Sequence, residues 1–370
     1  MSKLFEKILI NKMQIKNRFV RSATWEGMAS SDGYATPQLI ETMKALAEGE
    51  VGLIISSHAY VRPEGQAGKW QLGIYTDEQI PKLGEMTSSV HPAGAKIIAQ
   101  LAHSGTQADE KITGTTPMAV SLFDGLADSP RKEFSTDDLH ELVNAYTEAA
   151  VRAKKAGFDG VQVHSAHGYL LSQFLSPYFN RRTDDYGGSI ENRTKIHVKI
   201  LKAIRAATGQ DYPILMKLNC EDFSENGLSS DDALKAAEIF AHAGLDALEL
   251  SGGILTNSNK LSPSRTGIKA EDNEAYFRDA ARRFKEKLNI PLILVGGIRS
   301  FSVAENVVEN NIADMISLSR PLIREPDLIK RWQSGDLRPA ECNSDNLCFK
   351  PAKKGQGIYC LSREREQQQK

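Results

Sequence analysis

The alternation of short β-rich apolar runs with longer helical patterns constrains this chain more than any other feature. The strand-like runs are 18–24, 52–57, 95–101, 160–164, 214–219, 247–250, 292–295 and 315–317. Between them lie amphipathic stretches. Over 136–156, Leu139, Leu142, Val143, Tyr146 and Ala150 recur at helical spacing, and Asp137 and Asp138 sit in the first turn, where they suit the helix dipole. Residues 230–243 repeat the arrangement, with Ser229 or Ser230 as a cap before paired aspartates. Eight βα units in succession predict an α/β protein with a parallel sheet. The sheet is either closed into a barrel or open and doubly wound, since both share this periodicity. At 370 residues the chain has the length of two or three ordinary domains, and equally that of one large α/β barrel with insertions.

Composition removes several classes of function. A hydrophobic content of 41% and a charged content of 25% belong to a globular protein, and a formal charge of -1 offers no general field for nucleic acid or an anionic membrane. No apolar run approaches the roughly 20 residues that span a bilayer. The opening MSKLFEKILINKMQIKNR lacks the apolar core and cleavage site of a signal peptide, so a cytoplasmic protein is expected. Cysteines at 220, 342, 348 and 360 are too few and too lopsided for a disulfide framework, and reduced thiols are the default. The stretches 102–134 and 252–270 exceed ordinary loop lengths and are expected to act as lids or caps. The last eight residues, REREQQQK, are expected to fray.

Two segments carry chemistry. VQVHSAHGYLLSQFLSP, at 161–177, runs off a strand whose inward edge reads as Val161 and Val163, and His164, His167 and Tyr169 follow at once. Two imidazoles and a phenol together suit one task, in which the imidazoles hold negative charge developing on oxygen while the phenol supplies a proton. The same spacing also fits a pair of satisfied loop histidines or two zinc ligands. Later, LVGGIRS at 294–300 places Gly296, Gly297 and Arg299 between a strand and a helix, and ADMISLSRPLIREPD at 313–327 adds Ser319 and Arg320 at the next strand end. Barrels commonly bind phosphate with the loops after strands seven and eight, although a glycine pair also makes an ordinary tight turn. No GxGxxG follows an early strand, which counts against a Rossmann domain.

These motifs, with KNRFV (16–20), QLAHSG (100–105) and HSAHGYLLSQFLSPYFNRRTDDYGGSIENR (164–193) in order, resemble the Old Yellow Enzyme family across roughly residues 3–340. The resemblance implies a single-domain (β/α)8 TIM barrel over 1–340 with an N-terminal β-hairpin lid and a short C-terminal extension over 341–370. It also implies FMN at the C-terminal mouth, NADH or NADPH as a soluble co-substrate, and reduction of an electron-poor alkene such as an α,β-unsaturated carbonyl compound by ping-pong hydride transfer. Its partners are then a small-molecule substrate and a nicotinamide coenzyme, with homo-oligomerisation left open. Residue by residue, it places Ser22, Ala23 and Thr24 against the flavin, Gln100 beneath its pyrimidine edge and Lys217 facing N1 and O2, where arginine is common. Gly297, Ser319 and Arg320 fit the phosphate cradle, His164 and His167 hold the substrate oxygen, and Tyr169 is the proton donor. Trp25 stands where relatives often carry Thr or Cys and is assigned toward the substrate. His58 stands near the flavin where small residues are usual.

The tail departs from the larger relatives, which hold a [4Fe-4S] cluster in a C-x2-C-x3-C-x11or12-C pattern. Here Cys342, Cys348 and Cys360 remain, and Ser344 occupies the second ligand position. A degenerate cluster segment kept for packing is expected, and NAD(P)H must come from solution. Two alternatives remain open: another FMN barrel of the dihydroorotate or hydroxy-acid oxidase type, and a zinc hydrolase on the same barrel with His103, His164 and His167 as ligands.

Overall fold

The computed structural model describes residues 2–127, 129–255 and 261–368. Eight parallel strands close into a barrel: β1 (Phe19–Arg21), β2 (Leu53–Tyr60), β3 (Lys96–Ala102), β4 (Gly160–Ser165), β5 (Ile214–Asn219), β6 (Ala247–Ser251), β7 (Leu292–Val295) and β8 (Met315–Leu318). Each pairs with its sequence neighbours, and β8 returns to β1 through Ser317 opposite Val20. The chain is therefore a (β/α)8 TIM barrel, which resolves the choice that periodicity left open. The amphipathic stretches form the outer layer. The helix Thr136–Lys155 starts on a capping box between Ser135 and Asp138, and Ser230–His242 starts on Ser229.

Three strand starts use one device on the N-terminal face. Asp159, Asp246 and Asp314 each accept a backbone N–H from the neighbouring strand, at Ile97 (2.9 Å), Ile214 (2.7 Å) and Leu292 (2.8 Å). Each also pairs with a cation, Lys96, Arg205 or Lys285 in turn. Groups at this end of a barrel serve stability and leave the opposite mouth for chemistry.

The barrel interior is layered. Val20, Leu53, Ile55, Ile98, Leu215, Ala247, Ile293 and Met315 fill its lower part with Ile10, Met13 and Ile15 of the hairpin Ile8–Ile10/Met13–Ile15. The hairpin thus plugs the N-terminal end of the barrel. Val161 and Val163 correct the expected facing of β4: both pack outward in the helix-side core, whereas Gln162 and His164 point inward. On β2, Ile55 pairs with Ile98 and His58 with Gln100, so the ladder shifts by one residue between them. This β-bulge reverses the facing of the strand. His58, three residues after the inward Ile55, consequently faces inward as well.

Two further expectations are corrected. Among its described residues, the stretch 102–134 lines no part of the main cleft described below; it folds onto itself through the pairing of Met118–Ala119 with Lys132–Glu133. The tail is helical over Leu361–Gln368 and held by Arg324 Nη2 to Glu366 Oε2 at 2.6 Å, with Gln369 and Lys370 outside the described residues. Of 252–270, residues 256–260 also lie outside the described residues, while Leu255 and Ser262 to Ser264 line the cleft. Among the described residues no helix is long and apolar enough to cross a membrane.

Candidate active site

A cleft of about 610 Å³ opens at the C-terminal mouth of the barrel. Its floor comes from the inward positions above the apolar layer. There Glu249, on β6, is fully buried and accepts from Ser22 Oγ (2.8 Å), Ser317 Oγ (2.8 Å), Gln162 Nε2 (2.9 Å) and Lys217 Nζ (3.1 Å). Lys217 Nζ also donates to Ser22 Oγ at 2.7 Å. Burial acts to raise the Glu249 carboxyl, but Lys217 and the three neutral donors outweigh it and hold it below the usual carboxylate range. The floor is therefore an ionised, neutralised pair. Gln100 lies beside this network, its Nε2 donating to Gln162 Oε1 at 2.7 Å, and is not in the cleft lining.

One wall is the segment after β1. Ser22, Ala23, Thr24 and Trp25 all line the cleft. Behind them the buried Arg21 donates to Thr24 Oγ1 (2.6 Å) and to Glu26 Oε1 (3.3 Å), which fixes the course of the turn. The opposite wall carries the catalytic candidates. His167 has φ +63, a left-handed backbone that costs a residue with a side chain free energy on the order of 1 kcal/mol or more. It is held there by its N–H to Asn219 Oδ1 (3.1 Å) and by Nε2 against Ser251 Oγ (2.8 Å). The resulting turn folds the triad together: the His164 ring centre lies 5.3 Å from His167 and 5.1 Å from Tyr169. Burial holds both histidines well below their ordinary value, reinforced at His164 by His167, His58 and Lys217 and at His167 by Lys217 and His58, so both are neutral at physiological pH. Burial raises the Tyr169 phenol, which stays protonated.

The far end holds Gly297, Ser319 and Arg320. Gly297 has φ +73, and a Cβ there would come within 2.6 Å of Tyr276. Glycine is therefore required at this turn on steric grounds alone. The N–H groups of Arg299 and Ser300 already donate to Glu274 Oε2, at 2.7 and 2.9 Å. The Arg299 guanidinium donates to Ile268 O and Ala340 O. Arg320 is placed by Arg265 O (2.9 Å) and Asn346 Oδ1 (2.8 Å). Asn346, Ser344, Phe349 and Lys353 of the C-terminal extension line the same cleft, so this segment builds part of the site as well as packing against the barrel.

The sequence reading missed Glu249, Gln162, Ser251, Ser317 and Asn346. For the first four the one local signal was a polar residue inside a strand run, which does not show which way it faces. Asn346 had none.

The family of the chain follows from comparison. The model of the NADH:flavin oxidoreductase / NADH oxidase family matches residues 3–338. The chain belongs to this family. It is 36% identical over 337 residues to an NADH oxidase of Thermoanaerobacter brockii, covering 90% of this chain but only 51% of that one. It is 35% identical over 328 residues to an NADPH dehydrogenase of Bacillus subtilis (strain 168), covering 88% and 92%. Among solved structures, an old yellow enzyme homologue from Zymomonas mobilis superposes with a TM-score of 0.77 at 26% identity, covering 92% of this chain and 95% of that one. The Old Yellow Enzyme resemblance is thereby established, and FMN with a nicotinamide coenzyme is the cofactor set.

The cleft fits FMN. Its volume lies within the roughly 300–1,000 Å³ of cofactor sites. Its floor presents the Lys217 ammonium, and His164 Nδ1 is a buried polar atom with no hydrogen-bond partner among the described residues, one that a ligand in the cleft can satisfy. A four-iron cluster does not fit the tail. Cys342, Cys348 and Cys360 surround a cavity of only about 10 Å³, and the Ser344 N–H donates to Cys342 Sγ. Burial pushes the Cys348 thiol up to about 12. A zinc site is not assembled either. His103 lies outside the cleft with Nδ1 accepting from the Gly105 N–H, and no group of three or more His, Cys, Asp or Glu among the described residues could hold a metal ion.

Proposed function

We propose that the chain reduces the activated C=C bond of α,β-unsaturated carbonyl or related electron-poor compounds with NADH or NADPH, in two alternating half-reactions. The observation that carries the reading is the convergence of two neutral imidazoles and a protonated phenol on one wall of a cleft with a cationic floor group. When bound in this cleft, FMN would supply the hydride chemistry that links the two half-reactions. His164 and His167 act as neutral N–H donors to the substrate carbonyl or nitro oxygen, where fixed donors are worth on the order of 3 kcal/mol as charge develops. Ser251 holds the His167 ring in place for this. Tyr169, kept protonated by burial, delivers the second hydrogen as a proton to carbon. Trp25 and Leu255 supply apolar surface at the mouth, which suits a hydrophobic substrate body.

Stopped-flow measurement of the two half-reactions tests this reading. Tyr169→Phe is expected to leave flavin reduction by NAD(P)H within about 3-fold of the parent while slowing alkene reduction roughly 10²-fold, the contribution of a general acid. Equal slowing of both half-reactions, or FAD in place of FMN after heat release, would overturn it.

A further inference from the structure

His58 lines the cleft without a part in the chemistry given to His164, His167 and Tyr169, and its hydrogen bonds specify one. Gln71 is fully buried, and its Oε1 accepts the Ala67 N–H at 2.6 Å. That contact fixes which end of the amide is which. Gln71 Nε2 therefore faces His58, donating to His58 O at 3.1 Å and meeting His58 Nδ1 at 3.0 Å. An amide nitrogen has only protons to offer, so Nδ1 is an acceptor and the imidazole proton resides on Nε2. That proton points at Tyr169, whose hydroxyl lies 3.4 Å from His58 Nε2, with the two ring centres 5.5 Å apart.

We propose that His58 is a positioning residue for proton delivery: Ala67 and Gln71 lock it as the Nε2–H tautomer, and it donates to the Tyr169 oxygen. The inference rests on the reading of Tyr169 as proton donor. Its consequence is directional. With one lone pair of the phenol oxygen engaged by His58, the phenol's own proton turns toward the cleft and the substrate carbon. In the step itself the O–H bond of Tyr169 breaks, its proton forms the new C–H bond, and the electron pair stays on the phenolate oxygen, where the His58 N–H stabilises it. The imidazole gains and loses nothing, and a water in the cleft restores the phenol proton. The 3.4 Å separation is long for a resting hydrogen bond, and catalytic contacts of this kind shorten when negative charge appears on the acceptor. Burial holds the imidazole down to about 4, so it stays neutral and keeps Nδ1 free to accept from Gln71.

The test combines kinetics with a tautomer measurement. His58→Leu is expected to slow alkene reduction about 10-fold, and His58→Gln, whose amide nitrogen can take the place of Nε2, to recover most of that loss. In a Tyr169→Phe background His58→Leu should have no further effect, since no phenol remains to serve. Imidazole ¹⁵N spectra of the FMN-bound protein should show His58 protonated at Nε2, assigned by its disappearance in His58→Gln, and Gln71→Leu should let the proton redistribute. Full additivity of the two losses, no rescue by glutamine, or a proton on Nδ1 would each overturn the proposal. If instead Tyr169→Phe itself leaves alkene reduction unchanged, the reading of Tyr169 fails, an outcome separable from failure of the role given to His58.

Discussion

Glu249→Gln should damage this protein more than any other isosteric change at the site, because it removes one charge from a buried pair and leaves its partner in place. The Lys217 and Glu249 side chains are 4% and 0% exposed, with Nζ and Oε1 3.1 Å apart. At an effective dielectric constant of about 20, that separation corresponds to roughly 5 kcal/mol of attraction. The amide substitute keeps the shape and can still accept from Ser22 and Ser317 through Oε1, but its Nε2 then meets Gln162 Nε2, donor against donor, so one hydrogen bond is lost along with the charge. The expected net loss is about 3 kcal/mol, in line with the cost of breaking a buried pair on one side. Adding Lys217→Met removes the stranded cation, and the double variant should recover to within about 1.5 kcal/mol of the parent. The pH dependence has a definite sign. A carboxyl held below its ordinary value contributes stability above the unfolded-state value, and that stability is lost as pH falls through the folded-state value. The assay is urea unfolding at pH 7 and at pH 4 with fixed excess FMN. A single-variant loss under about 0.5 kcal/mol, or a double variant less stable than Glu249→Gln, would show that the pair is not the ionised, coupled unit described here.

Three other outcomes are expected. Arg320→Ala should narrow the preference for FMN over riboflavin by roughly 10- to 100-fold, the worth of one charge-assisted contact to phosphate, in titrations of the apoprotein; an unchanged preference would remove Arg320 from the phosphate cradle. Anaerobically purified protein should contain no stoichiometric iron or sulfide, and Cys348→Ser should leave both half-reactions near parental, whereas a broad absorption near 400 nm accompanied by iron would restore the cluster reading. His103 and His197, both buried and held down to about 3, together with His164, should make unfolding easier as pH falls below about 6.5. The unfolded chain there binds protons that the folded chain refuses, which adds a slope of about 1.4 kcal/mol per pH unit for each histidine. A urea midpoint that is level between pH 6.5 and 4.5 would contradict this.

The order of the elements was legible in the chain alone, because helical and extended periods are local properties of side-chain spacing. All eight strands and the helices Thr136–Lys155 and Ser230–His242 lie where the pattern puts them. The long motif around His164 likewise carried its own family. Barrel closure was not legible, since Ser317 meets Val20 only through a contact between the two ends of the fold. Nor was facing. Val161 and Val163 read as inward because apolar residues face a core, yet a barrel has two cores, and theirs is the helix layer outside while Gln162 and His164 take the interior. His58 depended on a single bulge between Ile55 and His58, one unpaired residue that no spacing rule marks and that turns a side chain from the helix layer into the cleft. Glu249 was invisible for a related reason: a carboxylate in an apolar strand is explained only by the lysine, serines and glutamine that four other strands or their ends bring to it. Residue type sets what a group can donate or accept and is written in the chain. Which partner it meets is a matter of closure, register and twist, and those arise only when distant strands assemble.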